Sequence, residues 1–121
     1  MATVIGITTL SLEGEQLKRY VDCIGDAVTG GLGLPSTMKS VTILQIPPEA
    51  STPKPYDLIT FFVYSAPNKP LDAKRAMIRN VQEATDAFFG GPGKVRTVVI
   101  IKEHTDENVG VAGTLRADAK K

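Results

Sequence analysis

The sequence predicts an α+β fold: two tandem β-α-β units forming a four-stranded mixed sheet with two helices on one face. Two observations predict it. Leu71 to Lys102, LDAKRAMIRNVQEATDAFFGGPGKVRTVVIIK, reads as a helix, a glycine stop and a buried strand. Glu15 to Ile46, EQLKRYVDCIGDAVTGGLGLPSTMKSVTILQI, repeats that order upstream. A shift of 57 positions brings Tyr20 onto Met77, Val21 onto Ile78, Ile24 onto Val81, Ala27 onto Ala84 and Val41 onto Val98. A gapless match of apolar positions over a helix and the strand after it points to a duplicated unit. The expected organisation is a single domain over residues 1–121. Its first unit spans 1–46, a linker spans 47–55, and the second unit with a C-terminal hairpin spans 56–121.

Each element has its own signal. ATVIGITT, from Ala2 to Thr9, is rich in β-branched residues and predicts the first strand. Ser11 suits the N-cap of the first helix, whose apolar stripe is Leu17, Val21, Ile24 and Val28, with Gly30 and Gly31 ending it. VTILQI, from Val41 to Ile46, predicts the second strand, apolar enough to be covered on both faces. PPEASTPKP, from Pro47 to Pro55, holds four prolines in nine residues and continues neither neighbour. LITFFVY, from Leu58 to Tyr64, predicts the third strand. Asn68 or Lys69 suits the cap of the second helix, with Pro70 in its first turn. Leu71, Met77, Ile78, Val81, Ala84, Thr85 and Phe88 are its expected core positions. Gly90, Gly91, Pro92 and Gly93 stop it, and VRTVVII, from Val95 to Ile101, predicts the fourth strand. NVGVAGTL suits a small hairpin, and RADAKK reads as a frayed tail.

Composition excludes several classes of function. The chain has 121 residues, 42% of them hydrophobic, and no apolar run of the length a membrane helix needs. Its net charge of +1 is interspersed, so no nucleic-acid or membrane partner is expected. The N-terminus lacks the pattern of a signal peptide, and one cysteine, Cys23, forbids an internal disulfide. A cytoplasmic location is expected, with Cys23 as a small buried hydrophobe on its helix. His104 is the only histidine and no metal-ligand cluster is evident, so no cofactor is expected. The face of the sheet away from both helices has nothing in the chain to cover it. Strands this apolar then predict burial against other copies, with Phe61, Phe62 and Ile100 as the residues to be covered.

The order and spacing of these segments resemble the tautomerase superfamily, the group named after 4-oxalocrotonate tautomerase. AKRAMIRNVQEAT, TVVIIKE and VGVAGTL are similar to its helix, strand and glycine-rich hairpin, and the first unit is similar to its helix and strand. The resemblance covers both halves, so it implies a fused two-unit member and a homotrimer.

The resemblance also implies a site. The family's N-terminal proline base falls on Ala2. Removal of Met1 would expose a primary α-amine there, with an ordinary pKa of about 8; retention of Met1 would leave an amide. The family's loop arginine falls on Leu12 in the first unit and Lys69 in the second, so Lys69 is the implied carboxylate anchor. Its strand arginine falls near Thr42, and near Val98 or Val99, with Lys39 and Arg96 close by as further candidates. The hairpin aromatic falls on Val109. The implied function is proton transfer on a small 2-oxo or enol carboxylate. The alternative is a trimer of the same fold that lacks this catalysis and serves a binding or structural role.

Overall fold

The computed structural model describes residues 2–119; Met1, Lys120 and Lys121 lie outside the described residues. Six strands and three α-helices follow one another: β1 (Thr3–Thr8), α1 (Gly14–Leu32), β2 (Val41–Gln45), β3 (Asp57–Ser65), α2 (Leu71–Phe88), β4 (Val95–Glu103), β5 (Gly110–Val111), β6 (Thr114–Leu115) and α3 (Arg116–Ala119). The main sheet has the order β2-β1-β3-β4, and β5 pairs with β6 as a separate hairpin. Within each unit the strands are parallel, and the units meet through the antiparallel pair β1–β3. This is the mixed four-stranded sheet that the sequence predicts.

The duplication is visible in the burial of matching positions. Tyr20 and Met77, Ile24 and Val81, and Val4 and Phe61 are matched pairs, and every one of them is buried. Thr8 and Ser65, the matching C-terminal ends of β1 and β3, are both buried polar residues. The match slips at the last strand. Val4 pairs with Val41 and its counterpart Phe61 pairs with Val99, so Val99 and not Val98 is the counterpart of Val41. One additional residue in the α2–β4 connection turns β4 over relative to the gapless match, because strand side chains alternate faces.

Both helices pack on one face. Tyr20, Ile24 and Val28 of α1 and Met77 and Val81 of α2 join Val4, Ile59, Phe61 and Val63 in a single core. The helices cross tightly at Gly31, where an added Cβ would lie 2.3 Å from the Met77 Cα. Gly31 therefore serves helix packing and does not end the helix. The stop is Gly33, left-handed at φ 70°, with the Leu34 amide closing on the Thr29 carbonyl at 2.8 Å. Gly6 makes room for the Phe61 ring, which would lie 2.8 Å from a Cβ placed there.

Several local expectations are corrected. Glu13, not Ser11, is the N-cap of α1, and the Gln16 side chain accepts from its amide at 3.3 Å. Pro70 takes the N-cap of α2 in place of Asn68 or Lys69, and its carbonyl accepts from the amides of Ala73 and Lys74. Leu71 and Ile78 are exposed, because the buried stripe of α2 is the narrow run Met77, Val81 and Thr85. Cys23 is exposed, one position off the Tyr20–Ile24 stripe. The second strand is a sheet edge and Leu44 is 49% exposed, so β2 is not covered on both faces. Phe61 lies in the helix-side core and is not free for contact with another copy, whereas Phe62 and Ile100 face the other side.

Candidate functional site

The strand register brings Ala2 and the β3–α2 loop to one end of the sheet. Thr3 lies opposite Tyr64, so Ala2 stands beside the end of β3, from which the chain runs into Lys69. Ala2 is 2% exposed and belongs to the core cluster. The Val4 amide donates to the Ser40 carbonyl at 2.8 Å, which brings the α1–β2 connection and Lys39 to the same end. The His104 amide donates to the Ser65 carbonyl at 2.9 Å, adding the end of β4. The Nδ1 atom of His104 is buried and has no hydrogen-bond partner. Buried polar atoms normally find partners, so this orphan marks the end of the sheet as unusual. Ser65 and His104 carried no functional signal in the sequence; their pairing depends on the β3–β4 register.

The cations there are not equivalent. The Lys39 ammonium lies 2.7 Å from Asp22 and 3.0 Å from Asp26, and its stem lies across Gly25. The Asp22 carboxylate first, then Asp26, pushes the Lys39 pKa above the ordinary lysine value. Lys74 pairs with Glu103 at 3.4 Å. Lys69 is half-buried, and its side chain makes no hydrogen bond or ion pair among the described residues. It is thus the cation of the loop with donors to spare.

Arg96 is elsewhere. It lies opposite Leu58, beyond the Thr8–Ile59 pair, so the length of β1 separates it from Ala2, about 20 Å. Its guanidinium carbon sits 3.9 Å from the centroid of the Tyr56 ring, an aromatic-cation contact. The structure brings Ala2, Lys39 and Lys69 to one end and leaves Arg96 at the other.

The remaining implied positions are not ionic. The Leu12 amide donates to the Gln45 side chain, Thr42 lies on the uncovered side of β2, and the Val109 carbonyl accepts from the Arg116 amide at 2.7 Å. Among the described residues no group of His, Cys, Asp and Glu is placed to hold a metal ion, and no helix is long and apolar enough to cross a membrane.

Among the described residues, cavities flank the sheet. One of about 410 Å³ lies between α1 and β2 and is lined by the ion-paired Lys39 and Asp22. Another, of about 450 Å³, lies at the Arg96 end under the linker and not at Ala2. The linker turns through a short helical turn at Pro48–Ala50 and returns across the sheet, a path that its four prolines do not disclose.

At the level of sequence, no family model and no curated protein matches the chain. Solved structures match it over nearly its whole length. A fused 4-OT described as a wild-type asymmetric trimer, R7, has a TM-score of 0.84 at 16% identity, covering 98% of this chain and 99% of its own. Pt0534 inactivated by 2-oxo-3-pentynoate has a TM-score of 0.80 at 21% identity, covering 98% and 99%. FG41 malonate semialdehyde decarboxylase inhibited by 3-bromopropiolate has a TM-score of 0.78 at 13% identity, covering 98% and 97%. With β-α-β units joined through an antiparallel centre and both helices on one side, the chain has the fold of the tautomerase superfamily.

Proposed function

We propose that the protein moves a proton on a small 2-oxo or enol carboxylate, with the Ala2 α-amine as base and Lys69 as the carboxylate anchor. The observation that carries this reading is the meeting of a nearly buried Ala2 with an unpaired Lys69 loop at one sheet end. A buried amine ionises less readily than one in water, which favours the free base near neutral pH. The reading requires removal of Met1, a residue outside the described ones. Assembly as a homotrimer through the uncovered sheet face goes with it, and three of the similar structures are described as fused 4-OT trimers. The single cysteine suits a reducing, cytoplasmic setting.

Intact mass and turnover test the reading together. The expected mass lacks Met1, and the enol of phenylpyruvate ketonises faster than in buffer. Lys69→Ala is expected to lower kcat/KM about tenfold or more, the scale of one charge-assisted hydrogen bond. Retained Met1, or wild type and Ala2→Pro both no faster than buffer, would discard it.

A second reading is favoured by the placement of the other cations. Lys39 is committed to Asp22 and Asp26, and Arg96 stands at the far end of the sheet. A pocket with one lysine in place of two bidentate arginines is poorly equipped for carboxylate chemistry. The corresponding function is that of a binding or structural trimer without the reaction.

A further inference from the structure

One polar group at the Ala2 end takes no part in the chemistry proposed for Ala2 and Lys69. The Nδ1 atom of His104 is buried, and the His104 side chain makes no hydrogen bond or ion pair among the described residues. Leaving a buried nitrogen unsatisfied is costly. None of the polar side chains flanking it serves it, because each is engaged elsewhere. The Ser65 hydroxyl donates to the Ala66 carbonyl at 3.3 Å, Glu103 pairs with Lys74 at 3.4 Å, and the Thr105 hydroxyl accepts from the Asn108 side-chain amide at 3.3 Å. The partner of Nδ1 is left to come from outside the chain.

The strand register sets His104 near the proposed chemistry. Thr3 lies opposite Tyr64, so Ala2 comes opposite Ser65, and the His104 amide donates to the Ser65 carbonyl at 2.9 Å. Ala2 and His104 thus lie two strand spacings apart, about 10 Å, with Ser65 between them. A small 2-oxo carboxylate together with an imidazole side chain spans that distance. Removal of Met1, which the proton-transfer reading requires, takes a residue away from this same strand end. Catalytic hydrogen bonds are often out of line until substrate is bound. The burial of Nδ1 is the protomer's own and owes nothing to the uncovered sheet face, where Val98 and Ile100 of β4 stay exposed.

We propose that the Nδ1–H of His104 hydrogen-bonds the 2-oxygen of the substrate and stabilises the charge that gathers there. The assignment rests on the proton-transfer reading for its substrate class. In ketonisation the enol O–H proton passes to the Ala2 amine, and the resulting ammonium gives it to C3. The O–H bonding pair closes the C=O bond, and the C=C pair forms the new C3–H bond. Between the two transfers negative charge sits on the 2-oxygen, where a donor fixed out of water is most effective. Lys69 meanwhile holds the carboxylate.

His104 is the only histidine, so the ring-nitrogen NMR signals of the untagged protein belong to it alone. The test takes the chain beginning at Ala2, checked by intact mass, and titrates it with phenylglyoxylate, a 2-oxo carboxylate that cannot enolise. The expected result is a saturable shift at Nδ1, with the hydrogen on that nitrogen in the complex. Phenylacetate, which lacks the 2-oxygen, should leave Nδ1 unmoved. With the enol of phenylpyruvate, His104→Phe should lower kcat about a hundredfold or more and change KM little, the scale of one lost donor to a developing oxyanion. His104→Asn, whose amide can offer an N–H near the same place, should recover about tenfold of that loss, as one restored hydrogen bond does. An unmoved Nδ1 while the backbone signals of Ser65 and Lys69 saturate overturns the proposal and leaves the proton-transfer reading standing. So does an equal response to phenylacetate, a bare Nδ1 in the complex, or a His104→Phe variant with the kcat of wild type. A saturable Nδ1 shift in a chain that turns over no faster than buffer supports the His104 contact and discards Ala2 as the base. No saturation at millimolar phenylglyoxylate overturns both.

Discussion

The two faces of the sheet are built from similar residues and meet different fates. On the helix side, Ile59, Phe61 and Val63 of β3 are almost wholly buried. On the other side, the alternate residues Thr60, Phe62 and Tyr64 line up with Val98 and Ile100 of β4 and with Ile5 and Ile7 of β1. Leu44 and Ile100 remain 49% and 40% exposed there. An apolar side chain contributes its stabilisation only when something removes it from water. The helix face has that within one chain, and the other face needs a second layer. The comparison separates residues that hold the protomer together from residues available to hold protomers to each other.

Substitutions on alternate positions of one strand sharpen this contrast most. Phe61→Ala should cost about 3–5 kcal/mol in denaturant unfolding, the usual range for a buried aromatic leaving a cavity. Phe62→Ala, the next residue, should cost the protomer far less and act on association instead. Similar losses for both in a monomeric background would break the distinction.

Assembly itself comes next. Ile100→Lys places a charge on the open face without touching the helix-side core. Sedimentation velocity should move toward the 12.9 kDa monomer, with the protomer's own stability within about 0.5 kcal/mol, as for most surface changes. An unchanged oligomer would show that this face is not the contact.

An effect confined to alkaline pH belongs to the helix side. Burial pushes the Tyr20 phenol up to about 12, against an ordinary value of 10.0. Because the folded state holds the proton more tightly, this contribution is whole below pH 10 and fades as pH rises through 12. It amounts to roughly 3 kcal/mol over that window. The hydroxyl of Thr85 donates to the Val81 carbonyl at 2.8 Å, so Tyr20 is the donor in its 2.8 Å bond to Thr85. Tyr20→Phe should flatten the pH 10–12 decline while costing about 1 kcal/mol at neutral pH. A decline that persists unchanged in Tyr20→Phe would assign it to other groups.

The fold was legible because apolar spacing survives duplication. Tyr20 matching Met77 and Ile24 matching Val81 identify two corresponding helices without any knowledge of the strands between them. The points missed share a cause: each depends on which neighbour comes close. Gly30 and Gly31 look like a helix stop, yet the Met77 backbone against Gly31 uses the absent side chain for packing. Cys23, Leu71 and Ile78 are apolar enough for a core but fall outside stripes narrowed by the helix–helix contact. At the candidate site, Ala2 and Lys69 were named from the resemblance, and their placement at one sheet end depends on the β1–β3 register. The commitment of Lys39 to two aspartates on α1 was not legible, and neither was the seat of Arg96 on Tyr56. Both require knowing how strand ends meet a helix or a linker.

The additional residue between α2 and β4 has a consequence for folding. A chain carrying two copies of one unit risks exchanging them, within a molecule or between molecules, because each copy offers the other's partners a near-duplicate. Loops of equal reach would let β2 settle beside β3, where β4 belongs, with its side chains on the correct faces. The slip removes that convenience. In the register set by the gapless match, a displaced strand would turn its core residues outward, and Val41 would stand at the position of Val98 on the uncovered face. A single residue thus gives each half an address and makes the wrong pairing cost the burial that the right one secures.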